Sequence, residues 1–181
     1  MPKSFDCVVE ETLDAFAAEV LNTDWCGKEH DWVNRYAHGC LLKRCSPGSE
    51  FFDPAQLAIE VGVPQPSKME PGSSPPVRRF TAAAVRRDLV VWREPGQTCW
   101  SADWNAVNHP LAILEWKVHR PRRKNRDQPH ERKWLTSYSR EHPAVYTFAV
   151  EVRLDEVPKR LDLFRFDAGR PRAPQSYPRS G

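Results

Sequence analysis

Residues 85–92 read VRRDLVVW, and residues 110–120 read PLAILEWKVHR. Both runs are short, rich in β-branched and aromatic side chains, and bounded by turn-forming residues, so each is expected to be a strand. Asp88 lies in the first, and Glu115 and Lys117 lie in the second. Side chains two apart on a strand share a face, so Glu115 and Lys117 point together and Trp116 points away. One face of the second strand is Ala112, Leu114, Trp116 and Val118. The other is Leu111, Ile113, Glu115 and Lys117, apolar at one end and charged at the other. A strand covered on both faces until it reaches a cleft has this pattern. Charge buried without partners is costly, so three charged residues converging from two neighbouring strands describe a site better than a core. The plainer alternatives are an exposed cross-strand ion pair for Glu115 and Lys117, and a strand-opening turn residue for Asp88.

Toward the C-terminus, residues 120–126 (RPRRKNR) form a basic loop directly after the second strand. Asp127 is placed to cap a helix that runs to about Glu141, with Trp134, Leu135 and Tyr138 inward and Pro143 ending it. Residues 144–153 alternate again and predict a strand, and residues 161–166 a last one. From Gly169 onward the composition is Pro, Arg, Ser and Gly, which predicts a disordered basic tail over 169–181.

Toward the N-terminus, Val9, Leu13, Phe16, Ala17 and Val20 form one apolar face of a helix over 6–21. Asn22-Thr23-Asp24 stops it and starts a second helix over 25–43, whose inward face carries Trp32 or Val33, Tyr36, Cys40 and Leu41. Glu29 falls at the edge of that inward face. Residues 56–63 predict a strand with Leu57, Ile59, Val61 and Val63 on one side and Glu60 on the other. The five prolines of residues 64–76 predict a loop. Residues 77–84 are compatible with an extension of the next strand, and residues 97–109 with irregular chain or a short helix. The resulting order, an extra helix followed by helix, three strands, helix and strand, predicts one layered α/β domain over 1–168, with a mixed sheet flanked by helices.

The composition suits such a core: 40% of residues are hydrophobic and seven are tryptophan. Charge is unevenly spread. Residues 1–60 hold 5 Lys/Arg and 11 Asp/Glu, whereas residues 61–181 hold 22 and 13, so an overall charge of +3 conceals a strongly basic second part. A basic surface around a carboxylate site suits a polyanionic partner. Acidic residues throughout the first twenty positions exclude a signal-peptide core there, and no stretch approaches the ~20 apolar residues of a membrane span. These features predict a cytoplasmic chain, without a membrane partner, whose five cysteines are reduced. Cys26, His30, Cys40 and Cys45 do not have the spacing of a zinc finger or ribbon.

Two carboxylates facing one another are tolerated when they share a cation. Mg²⁺ prefers oxygen ligands and takes one or two carboxylates while keeping several waters. A lysine beside the ion can orient an attacking water and offset charge developing on phosphate. An aspartate in one hydrophobic strand followed by Glu-x-Lys in the next resembles the PD-(D/E)xK, or restriction-endonuclease-like, nuclease superfamily. The residues carrying the resemblance are Asp88 in RRDLVVW and Glu115-Trp116-Lys117 in AILEWKV, and it spans about residues 25–153. It implies an αβββαβ core and a Mg²⁺-dependent endonuclease (Mn²⁺ as a substitute) that hydrolyses phosphodiester bonds, with DNA as the expected nucleic acid. Asp88 and Glu115 would be metal ligands, the Trp116 carbonyl a further one, and Lys117 the catalytic lysine. Members often carry a supporting glutamate on the first core helix. Glu29 matches best by position, with Glu19 and Glu60 as alternatives, and a first-turn glutamate favoured by the helix dipole as the plain reading. Members that cut both strands are often dimeric, so a homodimer is a further expectation. Arg87 stands where the family often has proline. Arg120, Arg122, Arg123, Lys124 and Arg126, with Lys133 on the following helix, are expected to contact the nucleic-acid backbone. The alternative is a non-catalytic nucleic-acid- or protein-binding module that keeps the fold.

Overall fold

The computed structural model describes residues 3–66, 84–103, 105–121 and 129–178. Helix α1 spans Phe5–Val20 and α2 spans Glu29–Tyr36. Strands β1 (Leu57–Pro64), β2 (Ala84–Val91) and β3 (Ala112–His119) precede helix α3 (Pro129–Glu141). Strands β4 (Tyr146–Arg153), β5 (Arg160–Asp167), β6 (Arg170–Pro171) and β7 (Gln175–Tyr177) follow. The seven strands form one mixed sheet in the order β1-β2-β3-β4-β5-β6, with β7 also paired to β5. Among the described residues only β3 and β4 are parallel, joined through α3; the other pairs are antiparallel. The expected mixed α/β architecture is present. Most of the predicted loop over 64–76, and all of 77–84 except Ala84, lie outside the described residues.

Two apolar layers sandwich the sheet. On one side, Leu89, Val91, Leu114, Trp116, Val150 and Val152 meet α1 and α2. On the other, Val90, Ile113, Ala149 and Phe166 meet Trp134, Leu135 and Tyr138 of α3. The apolar period of α1 is realised as read, since Val9, Leu13, Phe16, Ala17 and Val20 are all buried. Trp116 of β3 packs edge-on to Phe16 at 5.9 Å and tilted on Tyr36 at 5.1 Å. Trp32 packs edge-on to Phe16 at 5.9 Å. This aromatic cluster seats α2 against β3 and so sets where the start of α2 lies relative to Lys117.

Helix α2 starts at Glu29, later than the expected 25. Asp31 takes the Lys28 N–H at 2.6 Å, which makes Lys28 the N-cap. Trp25 folds back over Trp32 at 4.5 Å and holds the preceding segment out of the helix. The last turns widen into a π-turn at Ala37–Leu41 and a 3₁₀ turn at Leu42–Arg44.

The even alternation expected of β1 breaks. Leu57 and Ile59 pack on the α1/α2 side, but Val61 and Val63 pack on the α3 side. The switch falls at Glu60, whose φ of 53° is left-handed. The β1–β2 pairing steps from Ile59↔Leu89 to Val61↔Arg87 and omits the Glu60–Asp88 position between them. A left-handed non-glycine residue rotates the chain out of its pleat at a cost of order 1 kcal/mol. Directly paired residues share a face, so Arg87 turns with Val61 toward α3 instead of following Leu89.

The tail expected to be disordered forms β6 and β7 as far as Tyr177. Ala168 (φ 46°) and Gly169 (φ 82°) make a tight reversal after β5, the double left-handed geometry of a two-residue hairpin turn. Tyr177 is fully buried in the α1/α2 layer. Ser176 donates to Asp162 at 2.6 Å. One buried aromatic and a strand pairing outweigh a Pro- and Arg-rich composition that lacks a periodic apolar pattern. Residues 179–181 lie outside the described residues.

Candidate functional site

The β2–β3 ladder ends at Leu89↔Leu114, just where the charged residues begin. Beyond it, side chains take the place of the β2–β3 backbone pairing. The Trp116 N–H donates to Asp88 Oδ2 at 2.7 Å, and the Val118 N–H to Glu29 Oε2 at 3.4 Å. In an antiparallel arrangement the N–H and C=O of one residue face the same neighbour. The Trp116 carbonyl therefore opens into the same gap, between the two carboxylates.

Lys117 extends into this gap. Its Nζ lies 3.2 Å from Glu29 Oε1 and 3.1 Å from Oε2, and 3.9 Å from Glu131 of α3. Of the three acidic candidates for the helix position, Glu29 is the one brought to Lys117. Glu19 pairs with Arg35 at 2.8 Å and Glu60 with Arg86 at 3.4 Å. Arg120 reaches back to the carbonyls of Cys26 and Gly27, and the Trp32 indole N–H donates to the Gly27 carbonyl at 3.0 Å. Arg120 thus ties the end of β3 to the segment entering α2 and helps place Glu29. Lys133 is exposed on α3. Arg122, Arg123, Lys124 and Arg126 lie outside the described residues.

Glu115 is buried, and its Oε1 receives a hydrogen bond from Arg87 Nη1 at 3.0 Å. The Arg87 guanidinium lies 3.7 Å over the Trp134 ring. Glu115 Oε2 is buried with no hydrogen-bond partner. Burial raises the Glu115 pKa, and the Asp88 charge raises it further against the opposing pull of Arg87. Burial also raises the Asp88 pKa; the Trp116 N–H and Lys117 oppose this, while Glu29 and Glu131 add to it. Burial raises Glu131 too, with Lys117 acting the other way. Burial depresses Arg87, against the attraction of Glu115. The site therefore holds more acidic groups than its buried cations neutralise comfortably.

Arg87 and Glu131 were not among the sequence-predicted site residues. Arg87 adjoins Asp88, but a regular strand would send it to the opposite face. Glu131 lies 14 positions after Lys117 and carried no motif. Beside the site, Glu151 gathers His119 at 3.1 Å, Arg153 at 2.5 Å and Arg132. Arg153 and Arg160 also meet Asp162, at 3.6 and 3.0 Å, so this neighbouring network is largely internally paired.

Among the described residues, no group of three or more His, Cys, Asp or Glu side chains is placed to hold a metal by itself. The available donor set is smaller: Asp88, the unpartnered Glu115 Oε2 and the Trp116 carbonyl. It suits a hard cation that accepts one or two carboxylates and retains water, and the buried orphan oxygen is the observation in favour of that fit. Comparison with known proteins returns no matching family model, no matching curated protein and no matching solved structure. No helix among the described residues is long and apolar enough to cross a membrane.

Proposed function

We propose that this protein is a divalent-metal-dependent nuclease that hydrolyses phosphodiester bonds of nucleic acid, with DNA as the substrate to test first. The observation that carries the reading is the convergence of Asp88, Glu115 and Lys117 at the end of the β2–β3 ladder, with an orphaned carboxylate oxygen on Glu115. The order α2-β1-β2-β3-α3-β4 supports a restriction-endonuclease-like core, since it follows the αβββαβ order that the sequence resemblance implies. Asp88, Glu115 Oε2 and the Trp116 carbonyl would hold Mg²⁺ or Mn²⁺. The bound ion would polarise the phosphate and lower the pKa of a water. Glu29 and Glu131 hold the Lys117 ammonium at the mouth of the gap, where it can orient that water and offset charge on the phosphoryl oxygens.

The test is cleavage of supercoiled plasmid and of single-stranded DNA with Mg²⁺ or Mn²⁺. Cleavage should stop in EDTA and fall by about 10²-fold or more in folded Lys117→Ala. Cleavage that persists in EDTA, or is unchanged in Lys117→Ala, sinks the proposal. A second reading, a binding module that retains the site without turnover, is favoured by the internal pairing of Lys117 with Glu29 and of Glu115 with Arg87. It predicts salt-dependent DNA binding with no cleavage under any metal.

A further inference from the structure

The Arg87–Glu115 pair divides the oxygens of the site. Arg87 is 3% exposed, and its guanidinium is fixed on one side by the Trp134 ring and on another by Glu115 Oε1. Trp134 is itself held, its indole N–H donating to Gln65 at 3.1 Å. The left-handed turn at Glu60 and the omitted pairing beside Asp88 deliver Arg87 to this face, so its position is built into the sheet. Arginine keeps its charge in surroundings that would neutralise a lysine, and its planar head suits an aromatic face. Glu115 Oε1 is thereby occupied by a permanent cation, and Oε2 is buried without a close hydrogen bond, although the Asp88 backbone N–H also acts on the carboxylate.

We propose that Arg87 is a built-in second cation of the site, standing on the Oε1 side of Glu115 where a second divalent ion would otherwise bind, so that each chain takes one metal ion, through Glu115 Oε2 and Asp88. The inference rests on the metal-dependent reading above and refines it: the cation count of the site is set by a side chain. Removing Arg87 would free Oε1. Arg87 touches Glu115 and Trp134, making it a positioning residue and not a catalytic one.

The test counts ions directly. The full chain is titrated with Mn²⁺ at pH 8, and free ion is measured by electron paramagnetic resonance, with no nucleic acid present. Wild type is expected to saturate at one ion per chain. Arg87→Met, which keeps an apolar contact for Trp134 but removes the charge, is expected to take two. Circular dichroism establishes that each variant is folded, and Arg87→Gln replaces the methionine variant if that one is not. Two ions on wild type, or one on a folded charge-removed variant, overturns the inference while leaving the metal-dependent reading standing. No ion on wild type overturns both.

Discussion

Gly27→Ala is a one-carbon change whose sign the structure dictates. In general, replacing glycine by alanine at an ordinary backbone conformation stabilises a protein by about 0.4–1 kcal/mol, because the unfolded chain loses freedom. At Gly27 a Cβ would lie 2.5 Å from Trp25 Cζ2 and 2.8 Å from Asp31 Cβ. Neither neighbour yields easily. The Trp25 ring is held between Trp32 at 4.5 Å and Arg35 at 4.8 Å, and Asp31 Cβ belongs to the first turn of α2. Relief requires a backbone shift on the order of 1 Å, which breaks the Asp31–Lys28 capping bond and disturbs the Gly27 carbonyl that receives Trp32 and Arg120. Overpacking costs about 1–3 kcal/mol and a lost cap about 1 kcal/mol, so against the entropic gain of about 0.4–1 kcal/mol the net destabilisation should be about 1–3.5 kcal/mol. For a chain of this size that is a fall in Tm of roughly 2–14 °C. The assay is thermal and urea unfolding by circular dichroism, with Gly39→Ala as control. A Cβ at Gly39 meets nothing within 4 Å, so that variant should be neutral or slightly more stable. Because Glu29 opens α2, the proposed function predicts that Gly27→Ala also weakens any Mn²⁺-supported cleavage. A Gly27→Ala protein as stable as wild type would refute the account of how the α2 entrance is held.

Two further outcomes follow from the same geometry. The Asp88 pKa is raised in the folded protein, so between its unfolded value near 3.8 and its folded value of about 6 the native state binds more protons than the unfolded chain, and stability falls as pH rises through that window. In EDTA, Asp88→Asn should therefore be more stable than wild type at pH 8, by up to a few kcal/mol, with the gap closing toward pH 4; urea midpoints that differ by the same amount at every pH would contradict this. Tyr177→Ala removes a fully buried ring from the α1/α2 layer and should cost about 3 kcal/mol or more in urea unfolding, whereas a loss below about 1 kcal/mol would mean that the C-terminal strand does not anchor the fold.

Much of the architecture was legible because side-chain period encodes which face of an element is covered. The apolar stripe of α1 and, from Ala112 onward, the two faces of β3 could be read one residue at a time, since each depends on neighbours within a few positions; Leu111, just before the strand, packs in the α1/α2 layer instead of sharing the face of Ile113. Glu115 and Lys117 share a face for the same reason. The C-terminal strands were not legible. A two-residue turn, three short pairings and one buried tyrosine leave no periodic trace in a segment whose composition resembles linker.

Taken alone, the sequence determined the order of the elements as far as β5, the apolar faces of α1, β3 and α3, and the presence of two carboxylates and a lysine on neighbouring strands. The tertiary structure decided which other groups meet them. It brought Glu29 to Lys117 across 88 positions while pairing Glu19 and Glu60 elsewhere, engaged Arg120 with the backbone entering α2, and turned Arg87 onto Glu115 and Trp134. The physical reason is that alternation holds only while the pleat is regular. A left-handed residue at Glu60 and a ladder ending at Leu89↔Leu114 interrupt it, and both depend on contacts between strands rather than on the order of residues within one.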